Sequence, residues 1–314
     1  MSITTICVLG GSGFVGRHVC AALAARGLRV RVPTRDRDRA KPLTMLPTVD
    51  LLVADIHDAA ALRELVRSCD AVINLVGVLH GGRGKASFNA AHVGLANKMI
   101  AACRETGVRR VLQMSALNAG AQRPSEYLRS KGEAEAIVRG SGLDVTIFRP
   151  SVIFGRDDNF LNTFANLLST FPAMIVPAAQ ARFQPVYVAD VASAFAEAIA
   201  RRESIGQTYD LCGPKVYTLQ ELVEFVARTT GHKRMIFGAD STLTHVMAFV
   251  MECLPRNMMS IDNVRSMTVD NVCGRGCVFP FDIAPQALEA VAPEWLAHRT
   301  PRGRYAALRD RTRP

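Results

Sequence analysis

The sequence predicts an α/β fold, a doubly wound parallel sheet with a smaller C-terminal lobe, and three observations carry that prediction. Short β-branched runs alternate with amphipathic segments through the first half of the chain. A glycine-rich turn joins the first of these runs to the first helical pattern. The 314 residues, 49% of them hydrophobic, suffice for one large core and a second, smaller one.

In order, strands are expected at 6–10 (ICVLG), 28–33, 50–55, 71–77, 110–115 and 144–150. Most read as continuous apolar runs, the pattern of strands covered on both faces. Helices are expected near 14–26, 59–67, 89–106 and 126–139, between successive strands. In the second half PVYV and QTYDL read as strands, and 189–201 and 218–230 as helices, with longer irregular joins. The division expected is a core over 1–155, joined by returning elements from 183–212, a mixed lobe over 156–297, and a basic tail over 298–314.

The glycine turn is Gly10-Gly11-Ser12-Gly13-Phe14-Val15-Gly16. Gly10 permits the tight turn, Gly13 lets the backbone approach a pyrophosphate, and Gly16 lets the helix pack against the sheet. The following helix presents unpaired N–H groups and a positive dipole end to phosphates. At the head of an alternating α/β chain this predicts a Rossmann-type dinucleotide-binding core.

The second strand bears on which dinucleotide. NAD-binding domains commonly end it with a carboxylate for the ribose hydroxyls. Here it ends Val32-Pro33-Thr34-Arg35, with no acid until Asp36. Arg35, assisted by Arg17, is placed to meet a 2′-phosphate with paired hydrogen bonds, which favours NADP(H) over NAD(H).

Composition excludes several classes. No helix-plus-basic-aromatic module accompanies the net charge of +10, so nucleic acid is not an expected partner. Six arginines and one aspartate fall in the last 17 residues, a candidate contact for an anionic membrane. The charge-free stretch Asn159–Ala181 is broken by asparagines and prolines and reads as a helix followed by a loop, not a membrane span. No leader pattern precedes the first strand, so the expected location is cytoplasmic, at most peripheral on the inner membrane. The eight cysteines show no paired framework, which fits a reducing compartment; Cys273 and Cys277 read as two loop thiols, and no metal site is expected. The apolar, Met-rich segment Ser241–Leu254 reads as core packing by default or, if exposed, as a surface for a quinone, lipid or subunit. Trp295 and Tyr305 add slightly to a membrane contact.

The motifs GGSGFVG, Asp55 closing the third expected strand, NLVG at 74–77, Ser115 closing the fifth, Tyr127-x-x-x-Lys131 and Arg149-Pro150 together resemble those of a short-chain dehydrogenase/reductase of the extended or atypical kind. More narrowly, YLRSKGEAE and MMSIDNVRSMTVDNV resemble the bacterial relatives of NDUFA-nine, an accessory subunit of respiratory complex I. The resemblance implies a bound nicotinamide dinucleotide. It places Gly10, Gly13 and Gly16 at the pyrophosphate with Gly11, Ser12, Phe14 and Val15 around them. It puts Arg35 at the adenosine phosphate, Asp55 and Ile56 near the adenine, and Tyr127 and Lys131 at the nicotinamide ribose, with Leu75, Val76, Gly77 and Pro150 also counted among the cofactor-binding residues. It also implies a role as a cofactor-bearing accessory or assembly factor linked to complex I or quinone metabolism, with respiratory-complex or quinone-biosynthesis proteins as partners. The alternative is an active NADPH-dependent reductase or epimerase acting on a carbonyl or sugar-nucleotide substrate.

Tyr127 and Lys131 share one helix face a turn apart, with Ser125 as the expected cap. A nearby ammonium would favour the phenolate and lower the Tyr127 pKa, so that Tyr127 exchanges a proton while Ser115 orients the carbonyl. The pair equally serves a protein that only holds the cofactor. In the helix after the fourth strand, extended enzymes tend to carry Asn-x-x-Gly-Thr, but here the stretch is Ala91-His92-Val93-Gly94-Leu95, lacking both polar residues. His92 reads either as a substrate or cofactor contact or, more commonly for such residues, as a satisfied helix histidine.

Overall fold

A computed structural model describes residues 3–78, 87–239 and 260–297. Its main element is one parallel sheet of seven strands. In chain order these begin β1 (Thr5–Leu9), α1 (Phe14–Ala24), β2 (Arg29–Thr34), α2 (Arg37–Ala40), β3 (Val49–Val53), α3 (Ala59–Val66) and β4 (Ala71–Asn74). A π-helical turn (Asn89–Gly94) runs into α4 (Leu95–Thr106), followed by β5 (Arg110–Met114), α5 (Glu126–Arg139) and β6 (Asp144–Pro150). The seventh strand, Thr208–Leu211, arrives after the helix Val188–Ala200 and pairs with β6. Across the sheet the order is Thr208–Leu211, β6, β5, β4, β1, β2, β3. The direction of winding reverses between β1 and β4, and that crevice at the carboxyl ends of the strands is where such sheets bind ligands.

Burial explains the apolar strand sequences. Ile6, Cys7, Val8 and Leu9 of β1 and Ala71, Val72 and Ile73 of β4 are wholly buried because helices cover both faces. Cys7, Cys20, Cys69 and Cys103 are free, buried and packed as small apolar side chains.

The chain divides into two compact units. One comprises Met1–Pro150, Val188–Leu211 and Gly274–Ala284, and the other Ser151–Tyr187, Cys212–Cys273 and Pro285–Pro314. In the second, the helix Leu219–Thr229 opens on a capping box between Thr218 and Glu221. It packs with the helix Phe160–Thr170 in a core that includes Phe154, Leu161, Leu222, Val226 and Trp295.

Three expectations are corrected here. The loop anticipated after the Phe160–Thr170 helix contains a strand, Ala173–Val176, because Met235–Gly238 pairs with it in parallel. Trp295 is 8% exposed and stacks with Phe154, so its apolar surface is satisfied within the protein and does not serve a membrane. Cys273 is no loop thiol: it is disulfide-bonded to Cys212, 61 residues away in sequence. Only the tertiary path brings those two cysteines together, which is why their spacing carried no signal. Cys277 is free and exposed. The Ser241–Leu254 segment, Tyr305 and the 298–314 tail lie outside the described residues. Among the described residues no helix is long and apolar enough to cross a membrane.

Candidate dinucleotide site

At the mouth of the β1–β4 crevice the glycine turn is shaped by contacts that exclude side chains. Gly10 has φ +80°, in the left-handed region that glycine tolerates. A Cβ on Gly16 would lie 2.2 Å from the Gly10 carbonyl oxygen, so helix and turn approach backbone to backbone. Gly13 is exposed and starts α1, whose first turn has no side-chain cap and no acidic residue. Uncapped N–H groups, a dipole end and open backbone fit a pyrophosphate.

At the end of β2, Thr34 is buried and Arg35 exposed. The first acid, Asp36, is committed elsewhere: its carboxylate accepts hydrogen bonds from Asp38 N and Arg39 N at 2.9 and 3.3 Å and caps α2. After β3, Asp55 Oδ1 accepts from His57 N at 3.0 Å, and Lys98 Nζ donates to the His57 carbonyl at 2.6 Å. The Asp55–Ile56 turn is thereby fixed, with Ile56 packed on the core.

The other end of the crevice is built by β4, β5 and α5. Leu75 N donates to Leu9 O at 2.9 Å, extending the sheet beyond β4. Asn74 accepts from Val76 N at 3.1 Å and donates to Gln113 at 3.0 Å, which holds the strand end. Ser125 caps α5 as expected, its Oγ accepting from Leu128 N at 3.2 Å. Lys131 is 2% exposed, and Nζ donates to the carbonyls of Val76 and Met114, both at 3.2 Å. A Cβ on Gly77 would come within 3.2 Å of that ammonium. Pro150 ends β6, its carbonyl accepting from Leu117 N at 3.0 Å.

The electrostatics differ from expectation. Burial pushes the Tyr127 phenol up to about 12, the opposite of the lowering anticipated from Lys131. The cause is desolvation, which disfavours the charged phenolate. Burial also brings Lys131 down to about 8. His92 is pushed down to about 3, first by burial and then by Lys131. The buried Glu135, one turn beyond Lys131, pairs with Arg149 (Nε–Oε2 2.9 Å) and Arg139, and despite burial Arg149 holds its carboxyl below the usual range. Ser115 is buried; its hydroxyl faces Glu135 closely enough to help lower that carboxyl, yet outside ordinary hydrogen-bond geometry.

Lys131 makes a stability prediction. Its folded-state pKa, about 8, lies below the ordinary lysine value of 10.5, so burial penalises the fold wherever the unfolded chain is protonated. Stability therefore rises as pH climbs from about 8 to 10.5. In urea unfolding, wild type is expected to gain on the order of 3 kcal/mol more than Lys131→Met over that window.

Of the expected site residues, the turn Gly10–Gly16 and Leu75–Gly77 meet at the crevice, where Gly10 would contact Val76 through a Cβ. Lys131 joins them, and Tyr127 lies one turn earlier on α5. Sequence reasoning missed Asn74, Ser130 and Glu135, whose parts depend on long-range neighbours.

A family model described as NAD(P)H-binding matches residues 10–201. NADH dehydrogenase (ubiquinone) 1 alpha subcomplex subunit 9, mitochondrial, of Arabidopsis thaliana is 28% identical over 307 residues, covering 92% of this chain and 76% of that protein. Its Rattus norvegicus counterpart is 35% identical over 237 residues, covering 73% of this chain and 62% of that protein, so the chain spans less than two thirds of it. The Escherichia coli NADPH-dependent quinone oxidoreductase QOR2, solved with NADPH, has a TM-score of 0.73 at 19% identity, covering 93% of this chain and 99% of that one, a likeness of fold. With a glycine cradle at the switch point and a match over more than half of its length, the chain belongs to the NAD(P)H-binding family.

Proposed function

We propose that this chain binds NADP(H) and reduces a carbonyl substrate, with Tyr127 as proton donor and Lys131 as the clamp on the nicotinamide ribose. The observation that carries this reading is the placement of the Lys131 ammonium at the joined ends of β4 and β5. Among the described residues two of its three N–H groups are taken by Val76 and Met114, and the third is assigned to a ribose hydroxyl. A bound nicotinamide supplies the hydride. Tyr127 stays protonated at neutral pH, the form that delivers a proton to a carbonyl oxygen as charge develops there. Phosphate selection falls to Arg35, because Asp36 is engaged in capping. Titration is expected to show NADPH binding roughly tenfold or more tightly than NADH, with Arg35→Ser erasing the difference, as loss of a charged hydrogen-bonded pair implies. Equal affinity in wild type would refute the NADP(H) assignment.

A second reading, a cofactor-bearing accessory subunit of a respiratory complex, is supported by one specific observation. The similarity to the Arabidopsis subunit covers 92% of this chain, well beyond the family match that ends at residue 201. NADPH that is bound but not oxidised against a panel of quinones, ketones and sugar nucleotides would favour this second reading over the first.

A further inference from the structure

We propose that His92 is a positioning residue, a brace that ties the Gly77–Val78 segment after β4 to the Tyr127 turn of α5 through Ser130. Its functional consequence rests on the NADP(H) reading above; its structural content does not.

His92 sits on the π-helical turn Asn89–Gly94 and is 3% exposed. Its Nε2 accepts from Val78 N at 3.3 Å, so that nitrogen bears a lone pair. Its Nδ1 lies 2.9 Å from Ser130 Oγ. The Ser130 hydroxyl has one proton and donates it to the Tyr127 carbonyl at 2.9 Å. Ser130 must then accept from His92, which requires the neutral Nδ1–H tautomer. Any other state sets two donors or two acceptors face to face. The result is an ordered chain: Val78 N–H to His92, His92 to Ser130, Ser130 to the Tyr127 carbonyl.

The ring is also packed between aromatic neighbours. Phe88 stacks on the imidazole at 6.0 Å, and Tyr127 meets it edge-on at 5.8 Å. No ring nitrogen is left over for substrate, so His92 is not a proton carrier. The π turn gives the helix an extra residue here, a local widening often found at functional sites. What the brace holds together is the segment whose Gly77 abuts Lys131 and the helical turn that carries Tyr127 and Lys131. Disturbing it should loosen the cofactor contact and the proton donor at once.

The experiment compares His92→Phe, Ser130→Ala, the double variant and His92→Gln. Phenylalanine keeps the ring packing but has no hydrogen bond, whereas glutamine retains a donor and an acceptor on one planar group. His92→Phe and Ser130→Ala are each expected to raise the NADPH Kd and lower kcat by roughly five- to 100-fold, as loss of a buried hydrogen bond implies. The double variant is expected to be no worse than His92→Phe alone, since both break one chain, and His92→Gln to recover most of the loss. Additive losses, or a folded His92→Gln no better than His92→Phe, would overturn the proposal. Amide exchange at Val78 in the cofactor-free protein supplies the independent arm. Unchanged exchange in His92→Phe defeats the brace, whereas absence of NADPH binding in wild type defeats only the functional reading. Should His92→Phe fail to fold, Ser130→Ala, which removes a single hydroxyl, carries the same test.

Discussion

Tyr127→Phe is expected to keep NADPH bound while lowering NADPH-dependent turnover by roughly 10²- to 10⁴-fold, the usual worth of a positioned general acid. The substitution removes one oxygen and leaves the ring where it is. Its packing against Phe88 at 6.0 Å and His92 at 5.8 Å does not depend on the hydroxyl. Because burial holds the phenol at about 12, wild-type activity should not track Tyr127 ionisation at neutral pH. It should instead fall as pH passes about 8, where Lys131 loses its proton and its grip as a cation weakens. Steady-state kinetics from pH 6 to 9, alongside equilibrium NADPH binding, check both points. Undiminished kcat in Tyr127→Phe would remove the phenol from the chemistry.

Gly16→Ala should abolish measurable NADPH binding and destabilise the fold by about 3 kcal/mol, the upper end of ordinary overpacking costs. The added methyl would lie 2.2 Å from the Gly10 oxygen and 2.6 Å from Gly11 Cα. These are backbone atoms, so no side chain can swing aside. Either α1 retreats from β1 or the turn opens, and both deform the turn proposed to hold the phosphates. Gly94→Ala is the control: its Cβ would meet nothing closer than 3.7 Å, on a residue already in helical geometry. Urea unfolding should find that variant as stable as wild type or slightly more so, since alanine is the better helix former. Equal behaviour of the two variants would show that close packing at Gly16 is not what matters.

Local chemistry carried much of the fold. Short β-branched runs declared six strands of the sheet, most plainly β1 and β4, whose apolar residues are buried beneath helices on both faces. The start of α5 was readable from Ser125, and the glycine turn from Gly10, Gly13 and Gly16, because caps and tight turns are decided within a few residues. Tyr127 and Lys131 were legible as a pair because four residues return a helix to the same face.

Ionisation states were not legible. The pattern Tyr-x-x-x-Lys announced a lowered phenol, but burial, decided by elements brought in from elsewhere in the chain, raises it instead. His92 could be read two ways until Val78 and Ser130 closed around its nitrogens. Cys273 looked like a partner for nothing until the chain returned it to Cys212.

By itself, then, the sequence determined the parallel α/β core, the glycine turn and the identity of the groups where β4, β5 and α5 converge. Periodicity, capping and turn chemistry act over a few bonds and leave their marks in neighbouring letters. Only the tertiary structure decided which of those groups are charged, which are braced and which cysteines are joined. Desolvation and hydrogen-bond partnership depend on atoms that lie far apart along the chain and within a few ångströms in the fold.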